Sequence, residues 1–75
     1  MLPRMMPAQI EIILNGLKEK VPAGTTIAEL IKMSGEEDKH LIVECNNRFI
    51  HPHAYPKTAV EEGNKIEFIN PDFGG

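Results

Sequence analysis

The residues that could take part in chemistry are few, and they form three groups. Cys45 is the single cysteine, His51 and His53 are separated by one proline, and the sequence closes on Gly74 and Gly75. The thiol could act as a nucleophile or persulfide carrier, the imidazoles could bind a metal, and the terminal carboxylate could be activated for group transfer. Each group could also have a purely structural role, so the neighbouring residues are needed to distinguish a reactive group from a structural one.

The thiol and the imidazoles lack the neighbours that reactive sites require. Cys45 shares a face of a predicted strand with apolar residues, which predicts a buried, inert thiol, because reactive cysteines need an electropositive and partly exposed setting. His51, His53 and His40 have no carboxylate at an obvious ligand spacing, so surface histidines and no metal site are predicted. No catalytic constellation stands out, and the chain is not expected to be an enzyme.

The closing segment INPDFGG is more informative, because it directly follows a predicted strand. Residues 70–75 can reach at most about 20 Å from a sheet. Glycine has no Cβ, so Gly74 would let this segment thread a narrow channel. The reacting group would be the α-carboxylate of Gly75, which becomes reactive only when adenylation by ATP supplies a leaving group. The chain has no groups for that step, so a separate enzyme is expected to perform it.

Length, charge and hydropathy restrict the remaining possibilities. A chain of 75 residues predicts one domain, and its net charge of −3 with no basic block argues against nucleic acid and anionic membranes. No apolar run reaches membrane length. The single cysteine suits a reducing cytosol, which predicts a cytoplasmic protein. Residues 1–8, with two prolines and no periodicity, predict a flexible arm.

Local patterns predict the elements that would position the closing segment. QIEIIL and LKEKV alternate apolar and polar residues around Asn15-Gly16, which predicts a hairpin with a type I′ turn. Thr26 and Glu29 fit a capping box at the start of a short helix, and Gly35 predicts its end. LIVEC, RFI and KIEFI predict three more strands, while the proline-containing stretch before KIEFI cannot be a central strand.

The order of these elements predicts an α+β fold of the β-grasp, or ubiquitin-like, type. Its mixed sheet would have four to five strands packed on one short helix, with the first and last strands parallel at the centre. Residues 9–69 would form this domain, and residues 70–75 a flexible tail. Ile13 and Ile69 adjoin core-facing neighbours, so both should project to the other face of the sheet, where they could dock a partner.

The chain resembles the ThiS/MoaD family of ubiquitin-like sulfur carriers, and its ThiS branch most closely. The resemblance spans about Gln9 to Gly75 and depends on the Asn-Gly turn, VPAGTTIAELI, VEEGNKIEFI and the closing Gly-Gly. It implies a β-grasp fold, which agrees with the independent prediction. It also implies that the carboxylate of Gly75 is adenylated and converted to a thiocarboxylate, which donates sulfur to the thiazole ring of thiamine.

The resemblance implies three partners and no bound cofactor. A ThiF-like enzyme would adenylate Gly75 with ATP and magnesium, a cysteine persulfide would supply sulfur, and a ThiG-like thiazole synthase would accept it. Pro71, Asp72 and Phe73 are expected to contact these partners. Many family members have a small or polar residue before Gly-Gly, so Phe73 is interpreted as an anchor that selects the activating enzyme.

Other functions share the same features. A MoaD-like carrier for molybdopterin or another sulfur-containing metabolite would use the same adenylate. A ubiquitin-like modifier would join Gly75 to lysines of target proteins. A plain interaction module would use neither glycine.

Overall fold

The computed structural model describes residues 8–71, and within that range the chain forms five strands, one α-helix and one 3-10 helix. Residues 1–7 and 72–75 lie outside the described range. The strands are β1 (Gln9–Leu14), β2 (Leu17–Pro22), β3 (Ile42–Cys45), β4 (Arg48–Ile50) and β5 (Lys65–Ile69). The helices are α1 (Ile27–Met33) and the 3-10 helix (Pro52–Lys57).

Two tight hairpins form because asparagine and glycine tolerate the left-handed backbone that their turns require. Asn15 and Gly16 have φ angles of 51° and 85°, which confirms the predicted type I′ turn between β1 and β2. Asn46 and Asn47 have φ angles of 52° and 69° and join β3 to β4 in the same way. The turn residues therefore help to fix the register of both hairpins.

The sheet has the strand order β2-β1-β5-β3-β4, with β5 at its centre. β5 runs parallel to β1, with Leu14 opposite Ile66, and antiparallel to β3, with Val43 opposite Phe68. The predicted parallel pairing of the first and last strands is thus confirmed, as is the mixed β-grasp sheet. β3 begins at Ile42 and not at the predicted Leu41, whose carbonyl accepts a hydrogen bond from the Tyr55 hydroxyl at 3.3 Å.

The helix α1 has only seven residues, so its two ends and its buried face must stabilise it. The predicted capping box is present: the Glu29 N–H donates to Thr26 Oγ1 at 3.1 Å, and the Thr26 N–H donates to Glu29 Oε1 at 2.9 Å. At the other end Gly35 has a φ of 77° and closes a Schellman motif. Ile27 and Leu30 bury the inner face against the sheet.

The core lies between α1 and one face of the sheet. Alternation along β1, β3 and β5 places Ile12, Val43 and Ile66 there, as the sequence predicts. The buried side chains are Ile12, Val21, Ile27, Leu30, Leu41, Val43, Val60 and Ile66. The stretch before β5 contributes Val60 to this core and closes with a turn at Gly63, so it covers the sheet without joining its centre.

Asn15 forms the turn of the first hairpin and also makes two hydrogen bonds to β5. Its N–H donates to the Ile66 carbonyl at 2.9 Å, and its Oδ1 accepts from the Phe68 N–H at 2.8 Å. The side chain therefore continues the short β1–β5 ladder beyond the end of β1.

Replacing Asn15 should weaken the centre of the sheet. Asn15→Ala removes the acceptor for the Phe68 N–H, worth about 1 kcal/mol, and places a Cβ-bearing residue without local hydrogen bonding at positive φ, which adds about 1 kcal/mol. Urea unfolding should show the sum of these losses. Asn15→Gly, the control, relieves the backbone and should lose only the first part. An Asn15→Ala chain as stable as the parent would contradict this assignment.

Candidate functional site

β5 is the element that leads to the Gly-Gly end of the chain. It lies between β1 and β3 and is hydrogen-bonded on both sides, so its position is fixed by the whole sheet. Of the predicted tail the structure describes Asn70 and Pro71. The predicted partner contacts Asp72 and Phe73 and the reacting pair of glycines lie outside the described residues, as does the predicted arm apart from Ala8.

Asparagines from both hairpin turns hold β5 in place. Asn15 binds the Ile66–Phe68 stretch as described above. At the start of the strand, the Lys65 N–H donates to Asn46 Oδ1 at 2.9 Å, and the Asn46 N–H donates to the Lys65 carbonyl at 2.7 Å. Because both neighbours of β5 are secured to it by side chains as well as by the ladder, the strand forms a rigid base for whatever follows it.

Asn70, the first residue after β5, contacts two carboxylates in the loop that follows α1. Its Nδ2 donates to Asp38 Oδ2 at 3.0 Å and to Glu36 Oε1 at 3.3 Å. The Asn70 amide, followed by the His40 backbone N–H, holds the pKa of Asp38 below its usual range, because both donors favour the ionised carboxylate. The base of the tail is therefore tied to a loop more than thirty residues earlier in the chain.

Ile13 and Ile69, the two predicted docking residues, both lie on the sheet face opposite α1. They do not form one patch. Ile13 is half-buried and pairs with Lys65, whereas Ile69 is 40% exposed and pairs with Ile42. Lys65, the partner of Ile13, comes four positions before Ile69 on β5, which corresponds to about 13 Å along the strand.

The sequence prediction missed the apolar neighbours that Ile69 has on this face. Ile42 lies directly opposite Ile69, and Phe49, which is 53% exposed, pairs with Glu44 two residues along β3. Ile42, Phe49 and Ile69 are hereafter called the open-face patch. Alternation in LIVEC places Ile42 opposite to the buried Val43, so this residue could have been found. The patch adjoins the point where the tail leaves the sheet.

Cys45 is half-buried at the end of β3 and packs against the core. Burial, followed by the negative charge of Glu61, raises the pKa of its thiol. A thiol held in its protonated form is a poor nucleophile and a poor persulfide carrier.

Replacing Cys45 should leave sulfur loading intact. Cys45→Ala removes the only thiol of the chain and should lower the free energy of unfolding by about 1 kcal/mol. The parent protein should also react with iodoacetamide more slowly than free cysteine at the same pH, because its pKa is raised. Loss of sulfur loading in a folded Cys45→Ala chain would point to a persulfide on this residue instead.

His40 lies in the loop before β3 and His51 directly precedes the 3-10 helix, whereas His53 lies within that helix and not in a loop. The His51 ring stacks on His53 with centroids 5.3 Å apart and meets Phe49 edge-on at 4.9 Å. His40 lies near Asp38, with Nδ1 3.9 Å from Oδ1. Among residues 8–71, no group of three or more His, Cys, Asp or Glu side chains is arranged to hold a metal ion.

Comparison with known proteins identifies the family of the chain. The model of the ThiS family matches residues 6–75, which is nearly the whole sequence. The chain belongs to the ThiS family. The match includes Phe73, Gly74 and Gly75, which the structure leaves undescribed. No curated protein matches the sequence.

A solved ThiS-family structure has the same fold. The crystal structure of a thiamine biosynthesis protein, ThiS, from Geobacter metallireducens is similar to this chain with a TM-score of 0.73 and 23% sequence identity. The similarity covers 88% of this chain and 100% of that chain. At this identity the comparison concerns the architecture, and it confirms the predicted β-grasp sheet. No helix within residues 8–71 is long and apolar enough to cross a membrane.

Proposed function

We propose that this ThiS-family chain is a sulfur carrier for the thiazole ring of thiamine, with sulfur held as a thiocarboxylate on Gly75. The observation that carries the proposal is the placement of β5. The central strand of a ThiS-family fold leads directly to a Gly-Gly end, and it is anchored on both sides by Asn15 and Asn46. The terminal segment therefore starts from a strand that is held on both sides.

The chemistry takes place in three steps on the terminal carboxylate. One carboxylate oxygen of Gly75 attacks the α-phosphate of ATP and releases pyrophosphate, which gives an acyl adenylate. A cysteine persulfide on a donor protein then attacks the acyl carbon and AMP leaves. A second thiol then attacks the donor cysteine's sulfur in the resulting acyl disulfide. This attack forms a disulfide between the two thiols and releases the thiocarboxylate.

The chain supplies the carboxylate, and its partners supply the catalytic groups. A ThiF-like enzyme binds ATP and magnesium and performs the adenylation, and a ThiG-like thiazole synthase accepts the sulfur. Cys45 takes no part, because its thiol is half-buried with a raised pKa. The carrier is in this view a substrate of both enzymes and not a catalyst.

The open-face patch is the surface on which these partners dock. It contains two exposed hydrophobic side chains, Phe49 on β4 and Ile69 at the end of β5, where the tail begins. A partner that covers this patch lies next to Asn70, the residue at which the tail begins. The half-buried Ile13 contributes at the far end of the same face.

Intact mass spectrometry tests the carrier function. The chain is incubated with a ThiF-like enzyme, ATP, magnesium and a persulfide donor. The expected product is heavier by the difference between one sulfur and one oxygen, and fragmentation places the change at Gly75. An unmodified terminus under all these conditions would reject the proposal, and lysine-linked conjugates in its place would indicate a ubiquitin-like modifier.

Phe73 is expected to anchor the tail in the activating enzyme. Phe73→Ala should raise the KM for adenylation by at least about fivefold, since an aromatic ring that fills a partner pocket contributes at least about 1 kcal/mol. Pyrophosphate release at varied carrier concentration measures this effect. Phe73→Leu, which keeps an apolar side chain, should lose less. Unchanged kinetics for Phe73→Ala would contradict the anchoring role.

A further inference from the structure

We propose that Asn70 is a positioning residue for the sulfur-carrier reaction, because its amide fixes the direction in which the tail leaves the sheet. The inference depends on the proposed function, since it concerns delivery of the Gly75 carboxylate. It assigns a role to the contact between Asn70 and the loop carboxylates of Glu36 and Asp38, hereafter called the tail clamp.

The tail clamp uses the full donor capacity of one side chain. An asparagine amide carries two N–H groups, and Nδ2 of Asn70 has two acceptors, Asp38 Oδ2 at 3.0 Å and Glu36 Oε1 at 3.3 Å. Bonds to ionised acceptors are stronger than bonds between neutral groups. These two bonds therefore restrict the orientation of the Asn70 side chain.

The two carboxylates are themselves positioned by backbone groups. Glu36 Oε1 accepts from the N–H groups of Glu37 at 3.1 Å and Asp38 at 3.2 Å. Asp38 Oδ1 accepts from the His40 N–H at 2.8 Å. The loop starts at the Schellman motif of α1, so it is attached to the helix that packs on the core. The tail clamp therefore connects the tail to the rigid part of the fold.

The backbone at this point is restricted as well. A residue before proline is confined to extended conformations, which limits Asn70, and the ring of Pro71 fixes its own φ. Side chain and backbone together thus set the exit direction. From Asn70 to Gly75 the chain can span at most about 17 Å, so a tilt at its base displaces the carboxylate by several ångströms.

Releasing Asn70 should therefore weaken productive binding more than it slows the chemical step. Fixing the backbone of one residue has an entropic cost that corresponds to a factor of about ten in a binding constant. Without the tail clamp the activating enzyme must supply that ordering itself. The expected result is a rise of about tenfold in the KM for the carrier, with kcat close to the parent value.

Acid should release the tail clamp. Asp38 has a lowered pKa in the folded chain, caused first by the Asn70 amide and then by the His40 N–H. The contribution of its carboxylate is present above the ordinary aspartate pKa and is lost as the pH falls through the lower folded value. Glu36 and the His40 imidazole are the other titratable groups that face it. The Asn70 side-chain amide resonance should therefore keep its position at neutral pH and shift only in strong acid.

The decisive experiment compares four variants in adenylation by a ThiF-like enzyme, with pyrophosphate release as the readout. Asn70→Ala and the double variant Glu36→Gln, Asp38→Asn each break the tail clamp. Asn70→Asp places a third carboxylate between the two and should have the largest effect. Glu37→Gln removes one charge from the same loop without touching Asn70, and it should behave as the parent does.

A raised KM in the first three variants, with an unchanged kcat and a parent-like Glu37→Gln, would support the positioning role. If the parent chain is adenylated and Asn70→Ala has the same KM, the positioning role is wrong and the sulfur-carrier function is unaffected. A parent chain that is not adenylated at all would overturn both. The double variant keeps the question answerable if Asn70→Ala does not fold.

Discussion

Deleting Gly75 should reduce the rate of sulfur loading by at least about a hundredfold, because a displacement of about 1 Å at a reacting centre already lowers the rate by that factor. Loss of one residue shortens the tail by about 3.5 Å. The carboxylate would then belong to Gly74 and stop short of the adenylating site. Intact mass spectrometry after incubation with the activating enzyme and a persulfide donor measures the remaining thiocarboxylate.

The deletion should leave the fold unaffected, which separates chemistry from stability. Every side chain of the buried core lies between Ile12 and Ile66, so the thermal midpoint of the shortened chain should match that of the parent. Gly75→Ala is the matched control, because it keeps the length of the tail and adds only a Cβ. It should lose less activity than the deletion. Thiocarboxylate formation at the parent rate in the shortened chain would show that the reacting group lies elsewhere.

Replacing Ile66 with alanine should remove a large part of the stability of the domain. Ile66 is fully buried at the centre of the sheet, and such a truncation costs about 2–5 kcal/mol. A domain of 75 residues has about 4–11 kcal/mol of unfolding free energy in total. The thermal midpoint should therefore fall by about 13–32 °C, as measured by circular dichroism.

Ile69 provides a control of the same residue type in the same strand. It is 40% exposed on the opposite face, so Ile69→Ala should lower the free energy of unfolding by no more than about 1 kcal/mol. The same variant should weaken binding to the activating enzyme, because it removes one side chain of the open-face patch. Equal destabilisation by the two substitutions would contradict the assignment of the two faces. Unchanged binding would show that Ile69 is not part of the docking surface.

Local patterns sufficed to predict the order of the five strands and of α1, but they did not predict the 3-10 helix Pro52–Lys57. The Asn-Gly turn, the Thr26–Glu29 capping box and the inward apolar residues of β1, β3 and β5 are confirmed, since each depends on residues close together in the sequence. In β2 only Val21 is buried, and Leu17 is exposed. The parallel pairing of β1 with β5 followed from the preferred handedness of a crossover and not from any single residue.

The contacts that arrange the site could not be read from such patterns. The Asn15 side chain binds a backbone group 53 residues away, and Asn70 binds carboxylates 32 and 34 residues away. Asparagine is common in turns, so its residue type predicted the turn and gave no sign of the second contact. Ile13 and Ile69 were placed on the correct face, but their separation depends on the β1–β5 register, which no local signal specifies.

The central position of β5 also imposes an order on folding. β1 and β2 can pair as soon as both are synthesised, and so can β3 and β4, but the two hairpins are joined only through the strand made last. Until β5 inserts, each hairpin presents an unpaired edge of the kind that promotes aggregation. A chain truncated before Lys65 should therefore be insoluble, and slow synthesis at low temperature should favour soluble protein over inclusion bodies.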